Sequence, residues 1–252
     1  MNQEARLREI CQWLTKQPRL STREIAEHFQ VSFDTARRDI LKLSQTGQAL
    51  RVHGGVMALK QDDVPSYLTR QKILSPIKLA MAEKASHFIH AGQCDYIGPS
   101  TTLQQLCRQI RGQELQIITN SIDNALALLD APWPAVTLLG GRLNKVNRYT
   151  SDALTLDYLR QIRFNKAFIA CVHVGEDGIY LQDQADAEVI RLAVSRAQSV
   201  ILVAEHYKFT SKLTAPYLAA PLEAIDVVIT DEALESAYRE YFRPNTRIVQ
   251  LD

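Results

Sequence analysis

From residue 94 onward the chain repeats one pattern, a short apolar run followed by a stretch with helical spacing of its apolar residues. The apolar runs fall at 94–97, 116–119, 136–139, 166–172, 200–204, 227–230 and 247–250. Helical stretches at 103–110, 122–129, 155–162, 186–197 and 233–241 lie between them. A buried strand of a parallel sheet is apolar on both faces and must be returned by a crossover, usually a helix. The alternation therefore predicts βαβ units and a mainly parallel α/β domain. In such sheets ligands bind at the carboxyl ends of the strands. The loops that follow each strand are where a site is expected.

The first sixty residues follow a different rule. Leu7, Ile10, Cys11 and Leu14 are spaced as one face of a helix, which Pro18 stops. Ser21-Thr22-Arg23-Glu24 has the form of a capping box opening a second short helix that buries Ile25 and Phe29. Gln30-Val31 leaves room only for a tight turn, and Ser32 caps a third helix with Ala36, Ile40 and Leu43 inward. Gly47 stands just past its end, where a left-handed residue is cheap. Residues 49–59 then predict two short strands around His53-Gly54-Gly55. Two short helices, a tight turn and a β-wing describe a winged helix-turn-helix.

Charge agrees with that division. The 252-residue chain carries a net charge of +1. Residues 1–60 hold ten Lys/Arg against six Asp/Glu, leaving the remainder acidic. A basic end on an acidic body points to one part that seeks an anionic polymer. The outer face of the third helix offers Phe33, Asp34, Arg37, Arg38 and Lys42 to a major groove. Arg51 and His53 on the wing are placed to reach phosphates. Together with Ser21, Ser32 and Thr35, these basic residues and Phe33 form the set expected at DNA. Asp39, beside Arg38, reads as an ion-pair partner that orients an arginine and not as a base contact, and Phe33 as touching either a thymine methyl or the neighbouring helix.

The motifs resemble the DeoR/GlpR family of bacterial regulators. Residues 31–40, Val-Ser-Phe-Asp-Thr-Ala-Arg-Arg-Asp-Ile, match its V-S-x-x-T-[IA]-R-R-D-[IL] helix, and Leu50-Arg51-Val52-His53-Gly54-Gly55 matches its wing. Ser100-Thr101-Thr102, Thr119-Asn120-Ser121, Leu139-Gly140-Gly141, residues 185–189 and residues 206–209 fall at the family's later motifs. Departures stand at Ile97, Pro99, Asp186, Ile190 and Glu205-His206-Tyr207. The resemblance implies a repressor of carbohydrate catabolism genes, released by a phosphorylated sugar. It also implies a C-terminal domain similar to ribose-5-phosphate isomerase and glucosamine-6-phosphate deaminase. Ser100, Thr101 and Thr102 would then meet the phosphate, and Asn120 and Lys208 the sugar.

Read without the family, each of these loops has two meanings. Ser100, Thr101 and Thr102 either hold a phosphate at a helix N-terminus or simply cap that helix. Thr119, Asn120 and Ser121 offer hydroxyls and an amide to sugar oxygens or serve as caps. Gly140, Gly141 and Arg142 either admit a ligand to the backbone or make a turn. Asp183, Asp186 and Glu188 are hydroxyl binders or dipole partners, and Lys208 enters the crevice or lies on the surface.

The expected layout is a DNA-binding domain over 1–60, a linker over 61–75 and a sensor domain over 76–252. Expected partners are an operator duplex, a small effector of the sugar-phosphate kind and further copies of the chain. No cofactor or metal site is expected, since Cys11, Cys94, Cys107 and Cys171 are scattered and form no CxxC pair. No apolar run reaches a membrane span and no signal-peptide core opens the chain, so the expected location is cytoplasmic. The competing class is a sugar-phosphate isomerase-like enzyme fused to a DNA-binding domain, with Asp183, Glu188 and Lys208 as acid and base.

Overall fold

The computed structural model describes residues 2–45, 49–52, 54–58, 67–71, 75–210 and 215–251. Gly47 and His53, named above, lie outside the described residues. The chain divides into two compact units, residues 1–65 and 66–252.

The first unit runs α1 (Gln3–Lys16), β1 (Arg19–Ser21), α2 (Thr22–Phe29), α3 (Phe33–Gln45), β2 (Ala49–Val52) and β3 (Gly55–Ala58). Ile10, Leu14, Leu20, Ile25, Ala36, Ile40, Leu43 and Val56 are buried together at its centre. The strand β1 was not legible in the sequence, because three residues show no period. It pairs antiparallel with β3 and makes the wing a three-stranded sheet in the order β1-β3-β2. Gly55 is required by that pairing: a Cβ there would stand 2.0 Å from the Leu20 carbonyl oxygen. Gly54 meets nothing nearby and is needed instead for its φ of +79°.

The second unit begins with α4 (Tyr67–Gln71), inside the stretch expected to be a linker. Tyr67 is fully buried and Gln71 Nε2 donates to Gln104 Oε1 at 3.2 Å, so this helix is part of the sensor fold. There follow α5 (Pro76–Ser86), β4 (Cys94–Ile97), α6 (Thr101–Gln109), β5 (Gln116–Thr119), α7 (Ile122–Leu128), β6 (Ala135–Leu138), β7 (Leu143–Asn144), β8 (Tyr149–Thr150) and α8 (Ala153–Arg160). The chain continues through β9 (Phe164–Ile169), β10 (His173–Val174), β11 (Gly178–Leu181), α9 (Gln184–Arg196), β12 (Ala197–Val203), α10 (Tyr207–Thr210), β13 (Tyr217–Pro221), β14 (Val227–Thr230), α11 (Ser236–Arg239) and β15 (Arg247–Gln250).

Seven of these strands form one parallel sheet in the order β15-β14-β12-β9-β4-β5-β6. Successive strand residues enter opposite cores, as the pleat demands. Ile97, Ile117, Phe168, Ile201 and Ile229 pack with Met81, Leu103 and Leu128. Tyr96, Ile118, Ala167, Leu202 and Val228 pack on the other face with Leu159, Ile190 and Phe209. The strand order reverses between β4 and β9, which opens a crevice at their carboxyl ends.

Candidate functional site

In the first unit the geometry of α2 and α3 follows from their caps. Ser21 Oγ accepts from the Glu24 amide at 3.1 Å, while Glu24 Oε2 accepts from the Ser21 amide at 2.6 Å. Gln30 takes the left-handed conformation (φ 52°, ψ 45°) that ends α2 and turns the chain. Ser32 Oγ then accepts from the Thr35 amide at 3.2 Å and meets Thr35 Oγ1 at 2.9 Å. The hydroxyls of Ser21 and Ser32 are thus engaged as caps, and that of Thr35 meets Ser32 Oγ.

The outer face of α3 is open. Phe33 is 51% exposed. Arg37 and Arg38 are exposed, with Asp34 as their nearest acceptor: its carboxylate is 4.0 Å from Arg37 Nη1, and its carbonyl accepts from Arg38 Nε at 3.3 Å. Lys42 and Arg51 are also exposed.

Asp39 is an ion-pair partner of an arginine, as expected, and that arginine is Arg6 of α1. Its carboxylate is fully buried and accepts from Arg6 Nε at 2.7 Å, Arg6 Nη2 at 3.1 Å and Gln3 Nε2 at 2.9 Å. Adjacent helix residues do not share a face, so Asp39 points to α1 while Arg38 points to solvent.

In the second unit the loops after β4 and β5 interlock. Ser100 caps α6 by accepting from the Thr102 amide at 3.1 Å, and Ser100, Thr101 and Thr102 are all buried at the crevice edge. Thr119 Oγ1 donates to the Ile97 carbonyl at 2.6 Å and accepts from the Ser121 amide at 3.1 Å. Asn120 Oδ1 accepts from the Tyr96 hydroxyl at 2.8 Å, and its Nδ2 donates to the Thr150 carbonyl at 3.2 Å. Ser121 Oγ accepts from the Asn124 amide at 3.2 Å. Thr119, Asn120 and Ser121 hold the crevice wall in place and have their polar groups engaged.

The other expected residues also make local contacts. Gly141 (φ +132°) brings the chain against the start of α8, where a Cβ would stand 2.5 Å from Thr155 Oγ1. Gly140 accepts from Thr155 Oγ1 at 2.6 Å, and the exposed Arg142 donates its amide to Asp152 at 3.0 Å. This is the turn reading of Gly140, Gly141 and Arg142. Glu188 accepts from Gln184, one turn back on α9. Asp183 caps α9 and accepts from Asn144 Nδ2 at 2.8 Å.

Lys208 does enter the interior. Its side chain is 13% exposed and its Nζ lies 4.0 Å from the buried Glu205 carboxylate. Arg70 and Lys78, which sequence reading missed, feel the same Glu205 charge. Burial lowers the Lys78 ammonium, Glu205 opposes this, and Lys208 and Arg70 add to it. Burial likewise lowers Arg70, which feels Tyr207, Tyr67, Asp186 and Glu205. Burial pushes the Cys171 thiol, just beyond β9, up to about 11, with Lys208 and Glu205 acting on it in opposite directions. Asp186 is pushed up to about 7 by burial and by Asp183, against Asn120 and Arg70. Its Oδ1 is buried with no hydrogen-bond partner among the described residues. Asp186, Glu205 and Lys208 all lay in family-like motifs, whereas Arg70 sits in a five-residue helix with no signature. Among the described residues one group has metal-ligand character, His206, Asp231 and Glu232, with ligand atoms within 4.8 Å of one another. A 2.9 Å bond from His206 Nδ1 to Asp231 Oδ2 accounts for two of the three.

Both units match known families. A DeoR-like helix-turn-helix domain covers residues 6–62, and a DeoR C terminal sensor domain covers residues 75–232. The chain belongs to the DeoR family. Over 239 residues it is 34% identical to the HTH-type transcriptional repressor GlcR of Bacillus subtilis (strain 168), covering 94% of this chain and 92% of that one. It is 28% identical to the lactose phosphotransferase system repressor of Lactococcus lactis subsp. lactis, with both chains fully covered. Similar solved structures include a ribose 5-phosphate isomerase A from Methanocaldococcus jannaschii (15% identity, 53% of each chain, TM-score 0.38). Another is the translation initiation factor eIF-2B of Pyrococcus horikoshii OT3 (16% identity, 86% of this chain and 66% of that one, TM-score 0.44). This DeoR-family chain is a DNA-binding transcriptional regulator and not an enzyme. Among the described residues no helix is long and apolar enough to cross a membrane.

Proposed function

We propose that this regulator represses carbohydrate genes and leaves its operator when a small phosphorylated sugar enters the crevice at β4 and β9. The observation that carries the reading is that Lys208 Nζ lies 4.0 Å from the buried Glu205 carboxylate, whose charge Arg70 and Lys78 also feel. Partly buried cations drawn to one region favour an anion there, and a phosphate supplies two charges. The unpartnered Asp186 Oδ1 favours a hydroxyl-bearing body attached to it. The relatives' names, a lactose phosphotransferase system repressor among them, support the same class.

In this reading residues 1–60 bind DNA and 76–252 sense the effector. Phe33, Arg37, Arg38, Lys42 and Arg51 meet the duplex, with His53 joining from the wing. The segment 61–75 transmits the change, because α4 places Arg70 among the crevice charges and precedes the sensor helices in the chain. The effector must bind better to an arrangement that misplaces the recognition helices, since only differential affinity shifts an equilibrium.

A thermal-shift screen of the full chain against free and phosphorylated sugars tests this. A ligand at about 100 times its Kd adds roughly 2.7 kcal/mol of stability. The expected hit is a phosphorylated sugar that also releases operator DNA, and Lys208→Ala is expected to lose that release while keeping operator affinity. Stabilisation by free sugars alone, or unchanged release in Lys208→Ala, contradicts the assignment.

A further inference from the structure

Six acidic residues lie among the first sixty, and five of them are committed to a close donor. Glu4 pairs with Arg8 at 2.6 Å, Glu27 with Arg23 at 2.8 Å and Glu9 with His28 at 3.1 Å. Glu24 accepts from the Ser21 amide at 2.6 Å, and Asp39 from Arg6 at 2.7 Å. Asp34 is the exception. Its one ion pair among the described residues is with Arg37, whose Nη1 stands 4.0 Å away, and 80% of its side chain is exposed. A loose pair between exposed groups contributes little.

The position of Asp34 gives its charge a consequence. Asp34, Arg37 and Arg38 stand at i, i+3 and i+4, so they share one face of α3. That face is the one proposed to meet the duplex, and the role assigned to Asp34 rests on that reading. Asp34 is also the second residue of α3, and a recognition helix contacts base edges with its N-terminal residues. A carboxylate there approaches a polyanion, which repels it whatever the sequence. The repulsion is offset only where the carboxylate meets a donor. In the major groove the donors on base edges are the amino groups of cytosine and adenine. Adenine sets its N7 acceptor beside its amino group, where it opposes a carboxylate, whereas cytosine presents the amino group alone.

We infer that Asp34 determines operator specificity, its carboxylate accepting from the N4 amino group of one cytosine and rejecting the other three bases at that position. Rejection matters as much as attraction. A carboxylate brought against guanine O6 or thymine O4 loses its water and gains no hydrogen bond. Phe33, one residue earlier and half exposed, adds apolar surface at the same end of the helix. An acid in the first turn also favours the helix dipole. That effect is blind to base sequence, so base preference separates the two roles.

Selection of duplexes from a randomised pool by the full chain tests the inference. The parent enriches a site with one cytosine that depends on Asp34. Asp34→Ala accepts all four bases there, keeps the rest of the site, and binds unrelated duplex more tightly than the parent because a repelling charge is gone. Asp34→Asn exchanges the cytosine for adenine, whose N6 and N7 match a carboxamide. In direct titration, changing that cytosine to thymine weakens the parent about tenfold or more and Asp34→Ala about twofold or less. The side chain is exposed, so the variants keep the parent's circular dichroism. Variants that enrich the parent's site base for base, or that change only a position other than a cytosine, overturn the inference and leave the DNA-binding reading standing. A parent that binds no duplex overturns both.

Discussion

Arg38 and Asp39 are neighbours in the chain with opposite fates. The helix period sends Asp39 inward to Arg6, where one charge without the other would cost several kcal/mol. Arg38 is left facing outward. Arg38→Ala is accordingly expected to weaken operator binding about tenfold or more and to reduce its salt dependence, while effector affinity stays unchanged. Titrations of operator and effector at several salt concentrations check this. Equal operator affinity at every salt concentration rules α3 out as the reading helix.

Asp186 carries a second residue-scale consequence. Its carboxyl is raised from 3.8 to about 7 in the fold, so the folded state holds the proton more tightly than the unfolded chain does. Its neutral form favours folding, and that contribution is complete below about pH 4 and lost as pH rises to about 7. Without effector, the parent should melt higher at pH 5.5 than at pH 8 by more than Asp186→Asn does. His206, raised by its bond to Asp231, acts with the same sign in both proteins, so the difference between them isolates Asp186. Identical pH dependence in the two proteins contradicts the assigned shift.

At the scale of elements, caps and glycines decide where things start and turn. The capping box of α2 and the Ser32 cap of α3 were readable because each needs only residues three apart. The strand β1 was not, and its existence explains why Gly55 is obligatory. Gly55→Ala puts a Cβ against the Leu20 backbone, which cannot rotate aside. We expect a loss of about 3 kcal/mol from the DNA-binding unit and weaker operator binding, measured by denaturant unfolding. Gly54→Ala strains only its own φ and should cost about 1 kcal/mol. Equal losses from the two changes would contradict the close approach of β1 to β3.

For the whole molecule, coupling between operator and effector is expected to lie near 1–3 kcal/mol, a change of about 5–150-fold in operator affinity on saturation. Measuring operator affinity with and without the effector, and effector affinity with and without operator, must return the same factor. Unequal factors would show that more than these two binding events are linked.

The alternation of the seven sheet strands with their helices, the helix-turn-helix and the basic outer face of α3 follow from local pattern alone, since period, caps and charge are properties of adjacent residues. The crevice is different in kind. Arg70 and Lys78 are more than 120 residues from Glu205 and Lys208 in the chain, yet feel their charges in the fold. Thr119, Asn120 and Gly141 carry motif-like spacing, yet long-range hydrogen bonds and close packing employ them as scaffold. Whether a polar group stays available to a ligand depends on every other group that can reach it in space, and that is settled by the folded packing rather than by position along the chain.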